Sequence, residues 1–142
     1  MIDKTKEFWT GDRPEDIDEW LREYTELDDL TVKPVLCRSC GSNVFQQRVD
    51  EDEGAIQVIC AACKAKKILL DGEDVWEDCR PRIVKCICKG KDFNIRIGLD
   101  HRDDGDIRWV YAGSRCVACG TLGSYVDWNI DYGPTDAVEQ NI

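Results

Sequence analysis

Two hydrophobic periods alternate along the chain. Ile17, Trp20, Leu21, Tyr24 and Leu27 fall at i, i+3, i+4, i+7 and i+10, one apolar stripe with an acidic back, and predict an amphipathic helix over 13–27. Asp12 with Glu15 three residues on has the form of a capping box, and Pro14 sits in the first turn, where its missing N–H costs nothing. Beyond Pro34 the period changes to two. Residues 43–49 and 55–59 read as a hairpin with an acidic tip at 50–54, and 67–70 supplies a third strand. The pattern then recurs. Phe93, Ile95, Ile97 and Leu99 alternate on one face, 100–106 form a second acidic tip, and 108–111 return. A last strand carries Tyr125 on one face and Val126, Trp128, Ile130 and Tyr132 on the other. Between the two patterns, 71–78 read as an acidic loop and Arg80-Pro81-Arg82 as a linker.

Cysteines punctuate both β patterns. Cys37-Arg-Ser-Cys40-Gly41 is answered by Cys60-Ala-Ala-Cys63, and Cys86-Ile-Cys88 by Cys116-Val-Ala-Cys119-Gly120. Two thiolates one or two residues apart grip one metal ion, and a second pair returned by a hairpin completes a tetrahedron of soft ligands. Cys37, Cys40, Cys60 and Cys63 are therefore expected to hold one Zn²⁺, and Cys86, Cys88, Cys116 and Cys119 a second. Cys86-x-Cys88 is a residue shorter than the usual knuckle, so the second site is the weaker assignment. Cys79 is left over; it is either an apolar filler or a replacement for Cys86 or Cys88.

The halves also repeat outside the cysteines. Cys40-Gly-Ser-Asn-Val-Phe45 aligns with Cys88-Lys-Gly-Lys-Asp-Phe93, each phenylalanine opening a strand five residues past a ligand. Over about residues 35–130 the chain resembles the zinc ribbon family, in particular proteins with tandem ribbons. The resemblance implies small β-structures that mostly hold structure and bind proteins or nucleic acids. The knuckles at Cys37 and Cys116 also resemble those of rubredoxins, so iron is a possible substitute for zinc. With its Trp-Asn-Ile-Asp-Tyr-Gly-Pro-Thr-Asp tail, the whole chain looks like a family of small bacterial zinc-ribbon proteins that brings no function with it. The expected fold is thus mainly β (small β/α): two tandem four-cysteine zinc ribbons with an N-terminal amphipathic helix. Residues 1–33 are read as the helical segment, 34–78 as the first ribbon and 79–142 as the second ribbon with its tail.

Charge narrows the partners. The formal net charge is −10, and eight thiolates with two Zn²⁺ would bring it to about −14. Residues 1–31 hold eleven acidic and four basic side chains. Such a chain repels nucleic acid at long range and attracts a basic protein, which favours a protein-interaction adaptor or an immunity-like inhibitor. The alternative is a nucleic-acid- or transcription-associated ribbon acting through Arg80, Arg82, Lys85, Lys89 and Lys91, a stretch whose simpler role is to offset the charge of a four-thiolate site. No run of about 18 apolar residues is present and the first residues lack the apolar core of a secretory signal, so no membrane span is expected and the chain is read as cytoplasmic. An enzyme is not expected. His101 is the only histidine, and four-sulfur sites leave no open position for water or substrate.

Overall fold

The computed structural model describes residues 2–142. Its strands, in chain order, are β1 Thr31–Pro34, β2 Phe45–Asp50, β3 Ala55–Cys60, β4 Lys66–Ile68, β5 Arg82–Ile83, β6 Phe93–His101, β7 Ile107–Cys116 and β8 Leu122–Asn129. With helices α1 Asp16–Thr25 and α2 Asp136–Gln140, they make a mainly β protein built on one eight-stranded antiparallel sheet among the described residues. The two expected hairpins are β2–β3 and β6–β7. They meet at a single antiparallel pair, Phe45 opposite Phe93, the two residues that the repeat aligns. Within each hairpin the same phenylalanine faces a cysteine: Phe45 opposite Cys60, Phe93 opposite Cys116.

The segments ahead of the knuckles cross between the halves. β1, before Cys37, pairs with β6, and β5, before Cys86, pairs with β2. Val35, two residues before Cys37, donates its N–H to Ile95 O at 3.1 Å, and Val84, two before Cys86, donates to Gln47 O at 2.9 Å. Arg82, expected in a linker, is therefore part of a strand. The exchange is reciprocal about the Phe45/Phe93 pair, each half lending a strand to the other.

Side-chain alternation gives the sheet two covered faces. Phe93, Ile95, Ile97 and Leu99 of β6 point with Val110, Ala112 and Cys116 of β7 into the main core, where they meet Val49, Ile56 and Val58 of the first half. On the other face Ile17 and Leu21 of α1 are fully buried with Leu30 and Leu122. The helix comes close because glycines lie beneath it: a Cβ on Gly113 would stand 2.6 Å from Ile17 Cγ2, and one on Gly98 3.3 Å from Leu21 Cδ1. Asp18 fixes the rotation of the helix by accepting from Arg96 Nε at 2.6 Å and Nη2 at 3.1 Å.

Several expectations are corrected. The helix is shorter than 13–27, and Asp12 does not cap it. Instead the buried Asp16 reaches back to accept from the N–H groups of Asp12 (2.8 Å) and Arg13 (3.3 Å). Burial alone would raise its carboxyl, but these donors hold it below the ordinary value. Tyr24, placed in the apolar stripe, is exposed and stacks on Trp20 with centroids 4.8 Å apart. In β8, Val126 pairs with Ala112 and Ser124 with Gly113, leaving Tyr125 as a bulge. One extra residue flips the strand's faces, so Leu122 lies under α1 while Val126 and Trp128 enter the main core. Tyr132 lies past the strand and is exposed; its hydroxyl donates to Asp71 Oδ2 at 2.8 Å.

Both acidic tips are partly stapled. Asp50 is buried and accepts from the N–H groups of Asp52, Glu53 and Arg80 at 2.9, 3.0 and 2.7 Å, which holds its carboxyl below the ordinary range. Arg82 pairs with Glu51. At the second tip Asp106 accepts from Thr135 N at 3.0 Å, Asp100 from Arg108 Nε at 3.0 Å, and Arg102 donates to the carbonyls of Ile130 and Tyr132. No helix among the described residues is long and apolar enough to cross a membrane.

Candidate metal centres

Each cysteine quartet gathers at the base of one hairpin. A Cys-x-x-Cys pair forms a tight turn that its own backbone closes. Gly41 N–H donates to Cys37 O at 2.7 Å, Lys64 N–H to Cys60 O at 2.9 Å, and Gly120 N–H to Cys116 O at 2.7 Å. The residue after each pair must turn into the left-handed region: φ is 78° at Gly41, 66° at Lys64, 72° at Lys89 and 81° at Gly120. Glycine supplies this freely at two of the four turns, and lysine adopts it against its preference at the other two.

The shortened turn closes by one residue less. Lys89 N–H reaches Cys86 O at 2.8 Å, and Cys86 N–H reaches Gly90 O at 2.8 Å, where the first knuckle spans Cys37 to Ser42. Gly90 is favoured here by proximity, since a Cβ would lie 3.2 Å from the sulfurs of both Cys88 and Cys116.

Cys37, Cys40, Cys60 and Cys63 bring their sulfurs within 4.8 Å of one another, and so do Cys86, Cys88, Cys116 and Cys119. Cys37 and Cys63 stand 3.5 Å apart, as do Cys40 and Cys60, and Cys86–Cys119 and Cys88–Cys116 are at 3.5 and 3.6 Å. Sulfurs about 2.3 Å from a central ion at tetrahedral angles stand about 3.8 Å apart, whereas a disulfide needs about 2.05 Å. The spacing is that of ligands around an ion, so each quartet could hold one metal. Cys79 belongs to neither group; it is half-buried, and burial together with Asp50, Glu53 and Asp78 pushes its thiol up.

Within each quartet the sulfurs differ. The N–H groups of Cys63 and Ala62 bring Cys60 down to about 6, although burial opposes them. Burial raises Cys119 too, but the Thr121 hydroxyl, 3.1 Å from its sulfur, and the Thr121 N–H bring it down to about 6. Cys116 is pushed up to about 12, first by burial and then by neighbouring sulfurs. Cys40 also reaches about 12, where the Ser42 N–H pulls it down but Cys60 and burial outweigh it.

Lysines lie around both quartets. Lys64 and Lys66 are exposed beside the first, and Lys85, Lys89 and Lys91 beside the second. Lys67 instead donates to Ile142 O at 3.0 Å, and Arg38, inside the first knuckle, donates to Gln140 O and Ile142 O at 3.0 and 3.2 Å. The chain's tail is thereby tied to the first centre. The lone histidine is engaged as well: His101 Nε2 lies 2.6 Å from Glu139 Oε1, whose other oxygen accepts from Lys33 Nζ at 2.9 Å. The chain matches no protein-family model, no curated protein and no solved structure.

Proposed function

We propose that the eight thiolates hold two Zn²⁺ as structural ions, and that the protein is a non-catalytic interaction module, an adaptor or inhibitor, for a basic partner protein. Soft four-sulfur tetrahedra select zinc or iron, and a lone electron-transfer iron would not call for two ribbons. Four sulfurs fill the coordination sphere, leaving no site for water or substrate. Thiols spaced for metal rather than for disulfides suit a reducing cytoplasm.

The observation that supports the partner class lies where the halves meet. Glu51, Asp52 and Glu53 of the first tip converge with Asp71 and Asp127 on a pocket of about 390 Å³ bordered by Trp109 and Trp128. The indoles orient two of the carboxylates: Trp109 Nε1 donates to Asp127 at 2.9 Å and Trp128 Nε1 to Asp71 at 3.2 Å. A fixed negative field beside aromatic surface suits lysine and arginine side chains. The stretch 80–91 supports the nucleic-acid alternative less, because Arg82 is paired with Glu51.

Metal analysis and a binding titration test the reading. Two zinc ions per chain and a basic protein bound more weakly as salt rises are the expected results. Tight, steeply salt-dependent binding of duplex DNA or RNA, weakened by replacing Lys85 and Lys89, would establish the alternative.

A further inference from the structure

A second aromatic surface lies beside α1, where the N-terminal segment runs past Trp20 and Tyr24. Glu7, Phe8, Trp9, Trp20, Glu23 and Tyr24 line a groove of about 290 Å³ floored by Leu122. Trp20 and Tyr24 form one wall as a stacked pair, and Phe8 and Tyr24 are 47% and 57% exposed. Rings left open in this way are costly in water unless something covers them.

A cation already sits at the groove. Lys4 Nζ stands 4.9 Å from the centroid of the Trp9 ring and 2.8 Å from Glu23 Oε1. This is the geometry in which an aromatic face and a carboxylate hold an ammonium together. Lys4 and Glu23 are 44% and 40% exposed, so the contact is shallow and exchangeable. The anchoring of Trp9 is firmer: its carbonyl accepts from Leu122 N–H at 2.8 Å, which fixes the backbone of the groove while Lys4 can leave.

We propose that this groove is the docking site for a lysine side chain of a basic partner protein, and that Lys4 is its internal stand-in, displaced on binding. The inference rests on the basic-partner reading and assigns it a place. Charge complementarity carries it: two carboxylates border four aromatic rings, and among the described residues the cation in contact with them is the chain's own Lys4. Because Lys4 must leave before a partner's lysine enters, the free protein binds more weakly than its groove allows.

The test uses a ten-residue lysine peptide as probe, titrated at low and physiological salt into the zinc-loaded protein. Lys4→Gln is compared with Lys6→Gln, and Glu23→Gln with Glu15→Gln; Lys6 and Glu15 are exposed and lie outside the contact. Lys4→Gln is expected to tighten binding about threefold to fivefold and Glu23→Gln to weaken it, with both controls within about twofold of the parent. Equal effects from variant and control in both pairs would overturn the groove assignment and leave the basic-partner reading standing, with the peptide bound elsewhere. No binding to the parent or to Lys4→Gln at low salt would overturn both.

Discussion

The four left-handed residues that close the knuckles allow an internal comparison. An L-residue with a side chain pays about 1–2 kcal/mol for that conformation, and an alanine in place of glycine restrains the unfolded chain by about 0.4–1 kcal/mol. Gly41→Ala has no steric obstacle, since nothing lies within 4 Å of the added Cβ, and should cost the difference, roughly 0.5–1 kcal/mol. Gly120→Ala meets more. Its Cβ would stand 2.8 Å from Gly11 O, the oxygen that accepts from Arg115 Nε at 2.6 Å, while Gly11 N–H donates to Gly120 O at 2.9 Å. Overpacking that seam adds about 1–3 kcal/mol, so the total should be roughly 2–4 kcal/mol. Lys89→Gly runs the other way and should stabilise by roughly 0.5–1 kcal/mol, because its ammonium makes no hydrogen bond to give up among the described residues. Urea unfolding of the zinc-loaded protein at fixed zinc, read as midpoints at constant slope, measures all three. Equal costs at Gly41 and Gly120, or a loss of stability in Lys89→Gly, would refute the reasoning.

Cys79→Ser should retain two zinc ions by mass spectrometry of the native protein, and loss of one would move Cys79 into the second quartet. Gly113→Ala should destabilise by about 1–3 kcal/mol through its clash with Ile17 and Leu21, whereas Gly123→Ala, with open space around it, should stay within about 0.5 kcal/mol in the same urea assay. Cys116→Ser should empty the second site and also lower the chelator concentration that strips zinc from the first, because β1 and β5 tie the halves together; an unchanged first site would show the halves to be independent.

The knuckles and both hairpins are legible in the sequence because their partners are near: a tight turn, a tip and an alternating strand are each specified within about twenty residues. What escapes depends on contacts between distant segments. Arg80-Pro81-Arg82 has linker composition, yet Arg82 and Ile83 pair with β2. Asp16 and Asp50 look like members of acidic runs, and only the folded backbone turns them into acceptors for several N–H groups each. Parity assigns Tyr125 a face, and the bulge defeats parity. One local signal for the crossing strands is present: a valine stands two residues before the first cysteine of each half, Val35 before Cys37 and Val84 before Cys86.

Those valines bind the two halves into one unit. Each is buried in the main core, and each gives its N–H to a strand of the other half just ahead of its own knuckle. The sulfurs of Cys37 and Cys86 are therefore positioned by backbone that the opposite half holds. A half of this size buries too little apolar surface to be stable by itself, and metal is the usual supplement. Here the second supplement is the other half. The exchange also joins the first acidic tip and its neighbour Arg82 to the same sheet as Trp109 and Asp127, so the carboxylate pocket exists only when both halves are folded. Metal loading at either quartet and the shape of the proposed binding face then belong to one equilibrium, in which stripping zinc should abolish partner binding even where every carboxylate is intact.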